Sequence, residues 1–520
     1  MEINDLIKRR LEELEEIKKL GVNPYPYRFD VTSNSLEILS EYKDPLTEAE
    51  TEEQKKNIIS IAGRIMAIRR MGKASFCHIK DETGRIQAYI RQNDVGEVLY
   101  KVFKLLDIGD IIGVTGYVFR TKTGEISVHA TSFELLTKTI QPLPVVKEEV
   151  SESGEKIIHD AFADVELRYR QRYTDLIVND FVMDTFIKRT KIIQSIKNTL
   201  EKNNFFEVET PTLQTIYGGA NARPFVTHHN TLDMPLYLRI SNELFLKRLV
   251  VGGFNRVYEF VRDFRNEGID RTHNPEFTQV EWYQAYGDYT DSMNMFEEVI
   301  EQACFAVHGK TNIEYQGTEI DFKRPWKRMK MTDAIAEKTG LNVLDMKKSE
   351  IIKYFSSSGI EYDPAISHSK GLLIALLFEQ TCEGTLVQPT IIYDFPIDTT
   401  PLCKPLRTYS MDELDEMKKD PEKVILAERF EPYIYKWELG NSYTELNDPI
   451  LQRKLLEEQV ERGRGGEEET QPLDEDFLRA IEIGMPPTTG VGLGVDRLVM
   501  LLTNSHSIRD VIFFPLMRPL

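Results

Sequence analysis

The chain has 520 residues, of which 41% are hydrophobic and 10% aromatic, so it can form two or more domains with cores of their own and is not a disordered protein. A net charge of −19 argues by itself against a nucleic-acid-binding protein. The acidic excess lies beyond residue 150, however, so local positive patches nearer the start could still meet a polyanion.

Residues 1–57 are predicted to form a helical extension and a connection. Apolar residues recur at helical spacing over residues 2–20, which predicts an amphipathic helix that either packs on its neighbour or contacts RNA. This stretch lacks the apolar core of a signal peptide, and no apolar run in the sequence is long enough to cross a membrane. The four cysteines are scattered without metal-ligand spacing. We therefore expect a cytoplasmic protein with no membrane partner, disulfide or zinc site.

A change of pattern at Ile58 marks a second segment, residues 58–140. Five short alternating runs follow one another, separated by turn residues, and this predicts a small Greek-key barrel. Phe76 and Gln87 flank the turn in KDETG and are expected on neighbouring strands. An aromatic ring with an amide beside it suits an unpaired RNA base, which would stack and then be hydrogen-bonded. From the residues alone, Phe76 could equally be a core side chain.

Residues 141–179 are predicted to be a linker, and residues 180–520 a second domain of class α+β. Strand-like and helix-like runs interleave there without a repeated βαβ rhythm, which predicts a mostly antiparallel sheet flanked by helices. Helix-like patterns dominate about residues 290–380, where no residue indicates a catalytic or binding role. The sequence contains neither a P-loop nor a dinucleotide-binding fingerprint, so a nucleotide must be bound by other means.

The stretch VYEFVRDFRNEGIDRTHNPEFTQVEWY, from Val257 to Tyr283, is predicted to be a hairpin with an unusually polar face. The polar side chains that its strands and loop supply are Glu259, Asp263, Arg265, Arg271, His273 and Glu281. Cations of this kind suit phosphate, and Phe277 offers a flat ring on which a base could stack. A solvent-facing hairpin is the alternative.

Two further clusters lie toward the C-terminus. In FEPYIYKWELGNSYTELND, Glu431, Glu438 and Glu445 recur every seven residues, but a proline and a Gly-Asn pair interrupt any helix. A bent strand is predicted, whose carboxylates could bind a hard cation, with a surface strand as the alternative.

In PPTTGVGLGVDRLVMLL, three glycines precede a helix that carries Arg497. They would allow either a ligand or another element to approach closely.

Together these segments resemble the signature motifs of class II aminoacyl-tRNA synthetases. FFEVETPTL, which contains Pro211, is similar to motif 1, FRNE in the hairpin to motif 2, and GVGLGVDRL to motif 3. Within that class, the chain resembles the lysyl-tRNA synthetases of bacterial type in the segments GGANARPF, LYLRISNELFLKRLVVGG, THNPEFTQVEWYQAY, ELGNSYTELND, MGKASF and TKTGE. The resemblance runs from about residue 58 to the end. ISNEL departs from it, because the family usually has Ala-Pro before the glutamate, here Glu243.

The resemblance implies an OB-fold domain that binds the anticodon and a catalytic domain that attaches L-lysine to tRNA(Lys). ATP would first convert lysine to a lysyl-adenylate, with Mg²⁺ as cofactor, in a homodimer formed around Pro211. DNA is not an expected partner. Arg265, at the α-phosphate, and Arg497 are implied to be catalytic. The implied binding residues are Arg265, Glu267, His273, Phe277, Glu438 and Arg497 for ATP; Gly219, Glu243, Glu281, Tyr283, Asn441 and Glu445 for lysine; Glu431 and Glu438 for Mg²⁺; and Arg69, Phe76, Gln87 and Glu125 for the anticodon.

Three other functions stay open. A class II synthetase for aspartate or asparagine would need a cationic or amide-binding pocket where this chain has Glu243 and Glu445. An enzyme that attaches lysine-like groups to a protein would lack the barrel. A non-enzymatic OB-fold RNA-binding protein would carry a degenerate catalytic domain, whereas Arg265 and Arg497 are intact.

Overall fold

The computed structural model describes residues 5–144, 147–150, 156–159, 162–464 and 472–519. The chain divides into two compact units, Met1–Val178 and Asn179–Leu520. The narrower domain boundaries that the sequence suggests stay predictions. In the described part of the chain, no helix is long and apolar enough to cross a membrane.

The first unit begins with three helices, α1 (Asp5–Lys19), α2 (Ser35–Glu41) and α3 (Glu48–Lys56). The amphipathic helix predicted near the start is α1. Its Ile17 is fully buried in the core of the strands that follow, and Arg10 donates a hydrogen bond of 2.9 Å to the carbonyl oxygen of Ile108. Helix α1 therefore packs on its neighbour, which is the first of the two interpretations of this stretch.

Five strands of the first unit pair in a closed ring in the order β1-β2-β3-β5-β4. Only the β3–β5 pair is parallel. The alternating apolar residues point into one core, as the sequence predicted for a five-stranded barrel. The elements are β1 (Ile59–Met71), β2 (Ala74–Lys80), β3 (Arg85–Arg91), α4 (Gln92–Val95), α5 (Glu97–Lys104), β4 (Ile111–Arg120) and β5 (Ile126–Thr137).

The predicted linker falls partly outside the described residues. Where its backbone is described, β6 (Lys147–Val150) pairs antiparallel with β7 (Lys156–His159). Two short helices follow, α6 (Val165–Arg170) and α7 (Arg172–Val178). The segment is therefore more structured than a plain linker would be.

The second unit interleaves helices and strands. Its helices are α8 (Asp180–Lys202), α9 (Glu243–Val251), α10 (Tyr289–His308), α11 (Met331–Thr339), α12 (Lys348–Ser358), α13 (Lys370–Thr381), α14 (Met411–Met417), α15 (Pro449–Arg464), α16 (Glu475–Gly484) and α17 (Val495–Leu502). Its strands are β8 (Phe206–Glu207), β9 (Leu213–Gln214), β10 (Val226–His229), β11 (Met234–Leu238), β12 (Arg256–Phe264), β13 (Glu276–Ala285), β14 (Asn312–Tyr315), β15 (Thr318–Asp321), β16 (Lys327–Lys330), β17 (Thr390–Pro396), β18 (Leu426–Ile434), β19 (Trp437–Glu438), β20 (Gly440–Thr444) and β21 (Thr488–Gly494).

One large sheet organises this unit. Its strands run in the order β16-β17-β18-β20-β21-β13-β12-β8, and β19 pairs with β18. The pairs β16–β17 and β12–β8 are parallel, whereas the other pairs of the sheet are antiparallel. This agrees with the predicted α+β class. Trp282 and Val491 on one face pack with Phe296 of α10 in the main core, so the opposite face of the same strands is left for polar residues.

The region near residues 290–380 differs from the prediction. It holds helices α10 to α13, but the strands β14, β15 and β16 lie between α10 and α11. Gln316 and Gly317 connect β14 to β15 with φ values of 49° and 77°, the left-handed conformations of a tight two-residue hairpin turn. In a strand of four residues, the alternation of apolar and polar side chains is too short to be distinguished from the helical patterns on both sides.

Candidate active site

A cavity of about 420 Å³ lies within the second unit. Residues from the hairpin, the glutamate-rich strands and the glycine-rich strand surround it. Of the catalytic-domain residues predicted from the sequence, all except Glu431 line it: Gly219, Glu243, Arg265, Glu267, His273, Phe277, Glu281, Tyr283, Glu438, Asn441, Glu445 and Arg497. The fold therefore brings together segments more than 200 residues apart in the chain.

Strand register explains how one wall of the cavity is built. Glu281 on β13 lies opposite Gly492 on β21, and Gly492 lies opposite Asn441 on β20. Opposite residues of antiparallel strands share a face, so these three positions form one row across the sheet. Tyr283 pairs in the same way with Gly490. A Cβ atom at Gly490 would overlap both Tyr283 and Glu445, and a glycine is therefore required there.

Two buried glutamates meet at one end of the cavity. Glu243, the first residue of α9, is 6% exposed, and Glu445, just after β20, is 0% exposed. Oε1 of Glu243 accepts hydrogen bonds of 2.6 Å from the Tyr443 hydroxyl and from Nζ of Lys247. The same Nζ lies 2.5 Å from Oε2 of Glu445. Burial, together with the nearby Glu243, raises the pKa of Glu445 above its usual range, against the opposing effect of Lys247.

Sequence reasoning missed Lys247, although its position was informative. It follows Glu243 by four residues on a predicted helix, the spacing at which opposite charges meet. The sequence could not show that Glu445, from a distant strand, reaches the same ammonium. The side chain of Lys247 is fully buried.

A second acidic position lies beside the first. Oε2 of Glu281 accepts a hydrogen bond of 3.2 Å from the Tyr283 hydroxyl, and Oε1 accepts one of 3.2 Å from Oγ of Ser241. Burial, then the charges of Asp263 and Glu243, raise the pKa of Glu281 well above its usual value. A cationic ligand here would offset that desolvation cost.

Polar side chains shape the turn before α9, where the resembled family has an Ala-Pro pair. Oγ of Ser241 accepts a hydrogen bond of 3.1 Å from the backbone N–H of Glu243, and the Asn242 side chain donates one of 2.7 Å to Glu259. Gly219, at φ 88°, packs against this turn, where a Cβ atom would lie 2.8 Å from Oγ of Ser241. Two polar side chains therefore fix the start of the helix that carries Glu243.

Arg265, which directly follows β12, has a guanidinium whose hydrogen-bonding capacity is not fully used. Its guanidinium carbon lies 5.1 Å from the centroid of the Phe277 ring. Its Nε is buried and has no hydrogen-bond partner within the described residues. Burial raises the pKa of the neighbouring Asp263 to about 7, although Arg265 and Arg239 oppose the shift. A guanidinium that lacks a full set of acceptors is suited to bind an anion. Glu267, two residues further on, is exposed at the cavity.

Arg497 joins the hairpin loop to the glycine-rich segment. It donates hydrogen bonds of 2.6 Å to the carbonyl oxygen of Glu438 and 3.0 Å to Nε2 of His273. On its other side, Nδ1 of His273 lies 2.8 Å from Oδ2 of Asp270. Because a guanidinium can only donate, Nε2 is the acceptor and Nδ1 carries the proton.

The two glutamates predicted to bind a metal face a second, adjoining cavity of about 650 Å³. Glu431 accepts hydrogen bonds from Arg429 and, at 2.5 Å, from the Tyr433 hydroxyl. Burial raises the pKa of Glu431, Arg429 opposes the shift, and the nearby Glu438 adds to it. Among the described residues, no group of three or more histidine, cysteine, aspartate and glutamate side chains is arranged to hold a metal ion.

The predicted bent strand is a hairpin. Tyr435 and Lys436 connect β18 to β19 with φ values of 50° and 68°, so Glu431 and Glu438 lie on paired strands and not on one helix face.

Two acids near α13 also line the second cavity, in the region where the sequence suggested no chemistry. They are Glu379 and Glu383. Burial, then the charges of Glu379 and Glu438, raise the pKa of Glu383 to about 7. Nothing in the helical pattern of this region distinguishes these two acids from solvated ones, because their neighbours come from β18 and β19.

In the first unit, Arg69, Phe76 and Gln87 lie on the adjoining strands β1, β2 and β3, and Glu125 directly precedes β5. Arg69 pairs with Phe76, and Phe76 pairs with Tyr89, whose ring centroid is 4.7 Å away. Gln87 donates a hydrogen bond of 2.7 Å to Oε2 of Glu125. Phe76 is half-buried, so it is neither a core residue nor a fully exposed one.

Comparison with known proteins agrees with this architecture. Residues 164–518 match the family described as tRNA synthetases class II (D, K and N), and residues 59–136 match the OB-fold nucleic acid binding domain. Three relatives are named lysine–tRNA ligase. The one from Pelotomaculum thermopropionicum is 49% identical, over 100% of this chain and 96% of that protein. The one from Carboxydothermus hydrogenoformans is 48% identical, over 100% and 99%, and the one from Porphyromonas gingivalis 48%, over 98% and 85%. The chain therefore belongs to the class II tRNA synthetases and, within that class, to the lysine–tRNA ligases.

Proposed function

We propose that this chain uses ATP to activate L-lysine as lysyl-adenylate, releasing pyrophosphate, and then transfers lysine to tRNA(Lys), releasing AMP. The observation that carries the proposal is the composition of one cavity. Two buried glutamates, Glu243 and Glu445, face the same space as Arg265 and Arg497. Such a cavity can bind an ammonium and a polyphosphate side by side.

The acidic end of the cavity supports the choice of lysine. Glu243, Glu445 and the Tyr283 hydroxyl would bind the ε-ammonium, because buried carboxylates are stabilised by a cation at hydrogen-bonding distance. Glu281, with Gly219 and Asn441, would orient the α-amino end. Burial raises the pKa of Glu281 and of Glu445, and a cationic ligand beside these acids would lower both values.

Activation depends on positioning and charge, with no covalent nucleophile. The lysine carboxylate attacks the α-phosphorus of ATP, and the guanidinium of Arg265 stabilises the negative charge that develops there. Phe277 would stack on adenine with the ring face that Arg265 does not cover. Glu267, His273 and Arg497 would hold the rest of the nucleotide.

Glu431 and Glu438 fit a Mg²⁺ ion that arrives with ATP. Burial raises the pKa of Glu431 and the nearby Glu438 adds to the shift, and a hard divalent cation with oxygen ligands would offset both effects. Two carboxylates with phosphate oxygens make an ordinary magnesium site, which does not require a third acidic side chain. When bound, Mg²⁺ would neutralise charge on the departing pyrophosphate.

We propose that the five-stranded barrel reads the anticodon through Arg69, Phe76, Gln87 and Glu125. The Phe76 ring offers a stacking surface for an unpaired base. Gln87 and Glu125, held together by their hydrogen bond, would contact base edges. The domains are assigned as residues 1–57 for the extension, 58–140 for the barrel, 141–179 for the linker and 180–520 for catalysis.

A homodimer formed around Pro211 and a cytoplasmic location complete the proposal. Apolar side chains are exposed near motif 1: Phe206, Leu213, Ile216 and Phe254. Exposed apolar residues that lie near one another are typical of an interface between protein chains. All four cysteines are buried and free, which suits a reducing compartment.

The cavity does not favour an aspartate or asparagine enzyme. Such an enzyme needs a cation or an amide that can reach the substrate side chain. Lys247 is a cation in the right region, but it is fully buried and bound between Glu243 and Glu445. It therefore offers nothing to a substrate carboxylate.

Pyrophosphate exchange tests the proposal. The purified chain is assayed with ATP, labelled pyrophosphate and each amino acid in turn, with and without tRNA. Exchange that depends on lysine and needs no tRNA is expected, followed by charging of tRNA(Lys). Exchange with aspartate or asparagine in place of lysine would show that the amino acid is wrong, and no exchange with any amino acid would overturn the enzyme itself.

A further inference from the structure

The lysine-binding end of the cavity contains a lysine of the protein itself. Lys247 lies one helical turn after Glu243 on α9 and is fully buried. Its Nζ is 2.6 Å from Oε1 of Glu243 and 2.5 Å from Oε2 of Glu445. A site proposed to bind one ammonium therefore already holds another.

Lys247 does not occupy the place of the substrate. Glu243 and Glu445 line the cavity, whereas Lys247 is not among the lining residues. Its Nζ lies 5.5 Å from the ring centroid of Tyr443 and 6.0 Å from that of Phe477. Lys247 therefore reaches the two acids from the protein side, behind the surface that a ligand would meet.

Each glutamate has one oxygen that does not face Lys247. Glu243 uses Oε1 for Lys247 and Tyr443, and no hydrogen bond within the described residues involves its Oε2. Glu445 faces Lys247 through Oε2, while its Oε1 is buried without a hydrogen-bond partner in the described part of the chain. Two unsatisfied carboxylate oxygens are thus left beside an ammonium that is already paired.

We propose that Lys247 is a positioning residue, an internal counter-cation that pairs with one oxygen of Glu243 and one of Glu445 and lowers the cost of ionising both, so that the other oxygen of each can meet a ligand without a proton. This rests on the proposed function, since two proton-free carboxylate oxygens are what a substrate ε-ammonium would meet. Without Lys247, two buried carboxylates this close share a proton, because like charges in a low dielectric cannot both ionise easily. The shared proton then lies where the substrate ammonium would donate its hydrogen bonds, so it must leave before that ammonium binds.

The other titratable groups around the pair do not supply this charge. Burial raises the pKa of Tyr283, of Tyr443 and of the Cys403 thiol, and the nearby acids add to each shift, so all three stay neutral near pH 7. Burial also raises the pKa of Glu281, so this acid does not supply a positive charge either. Lys247 is the charge that opposes the raised pKa of Glu445.

The first test is the pH dependence of lysine activation in Lys247→Met. At pH 7 the KM for lysine should rise by about tenfold or more, the effect of one pKa unit, with a smaller change in kcat. This KM should then fall as the pH is raised to about 9, because the shared proton leaves while the substrate ε-ammonium stays protonated. Arg248→Met is the matched control, since it removes a neighbouring cation of α9 that is paired with Asp474.

The second test compares Lys247→Met in two backgrounds. Glu445→Gln alone leaves Glu243 neutralised by Lys247, so it should bind lysine poorly. Adding Lys247→Met removes a counter-cation that a single carboxylate does not need and leaves Glu243 ionised with no second acid to share a proton, so the KM of the double variant for lysine should fall below that of Glu445→Gln. A residue that only packs the core would make the double variant worse instead. Calorimetric ATP binding and thermal unfolding show that each variant is folded.

The inference is overturned if Lys247→Met shows no pH-dependent rise in KM, or if the double variant binds lysine no better than Glu445→Gln. Because removing one partner of a buried ion pair can prevent folding, Lys247→Gln, which also lacks the charge, gives the same comparison should the methionine variant not fold.

The wild-type chain separates this inference from the proposed function. If it shows no lysine-dependent exchange, the proposed function fails and takes the inference with it. If the wild-type chain shows normal lysine-dependent exchange, then either the absence of a pH-dependent rise in KM or the absence of rescue in the double variant overturns the inference alone.

Discussion

Arg497 donates a hydrogen bond of 3.0 Å to Nε2 of His273, 224 residues earlier in the chain. The bond links the helix after the glycine-rich strand to the loop of the β12–β13 hairpin. Asp270 accepts from the opposite nitrogen of the same ring, so the carboxylate, the imidazole and the guanidinium form one chain. The two motifs proposed to hold ATP are therefore connected by protein side chains alone.

His273→Ala should loosen this connection. We expect the KM for ATP to rise roughly fivefold, the equivalent of about 1 kcal/mol for one hydrogen bond, while the KM for lysine changes little. His273→Gln retains an acceptor that can face Arg497 and should lose less. Both constants are measured by pyrophosphate exchange, and an equal loss for ATP and lysine would argue against this role.

Arg265→Lys should slow activation more than it weakens ATP binding. The ammonium keeps the charge but loses the planar fork of donors that the transition state needs. Single-turnover formation of the adenylate gives the rate, and calorimetry gives ATP affinity. Arg262→Lys is the control, because Arg262 lies on β12, three residues before Arg265, but is exposed and paired with Glu276. Near-normal single-turnover rates in Arg265→Lys would remove this residue from the mechanism.

Phe76→Ala should weaken tRNA charging and spare adenylate formation. Loss of one base-stacking ring costs about 1–3 kcal/mol, which is expected in the KM for tRNA(Lys). Tyr27→Ala removes a fully exposed aromatic ring of the same unit and should leave charging unchanged. If lysine-dependent exchange without tRNA fell as far as charging did, the assignment of Phe76 to the anticodon would be wrong.

Gly490→Ala should destabilise the second unit. The added Cβ would overlap Glu445 and Tyr283, and overpacking of this kind costs about 1–3 kcal/mol. Gly492→Ala, two residues further on the same strand, is the matched control, because its nearest neighbour would lie 3.8 Å away. Denaturant unfolding of the two variants should show a loss of stability in the first alone; equal losses would contradict the packing argument.

Much of the fold could be predicted because its signals are local. The alternation of polar and apolar side chains in VYEFVRDF predicted the polar face of the hairpin. Pro432, Gly440 and Asn441 correctly indicated that no helix runs from Glu431 to Glu445. The β14–β15 hairpin was missed, since two strands of four residues give almost no periodicity.

The candidate site was predictable only in part. The order of the motifs placed twelve residues around one cavity, but contacts between distant segments carry no sequence signal. Arg429 donates to Asn441 at 2.9 Å and also to Glu431, and nothing in its own segment indicates that it joins the two proposed subsites. Lys247 was visible only as half of a helical ion pair, because its second partner comes from another strand.

The central claim is that the buried glutamates select lysine by its charge, and binding to Glu243→Gln tests it most directly. The amide keeps the shape of the side chain and removes one charge. Lysine and ATP are titrated separately by calorimetry on the wild-type chain and on the variant. We expect lysine affinity to fall by roughly 1.5–3 kcal/mol, the scale of a hydrogen bond to a charged group, and ATP affinity to stay nearly constant. Unchanged lysine affinity, or an equal loss for both ligands, would contradict the account.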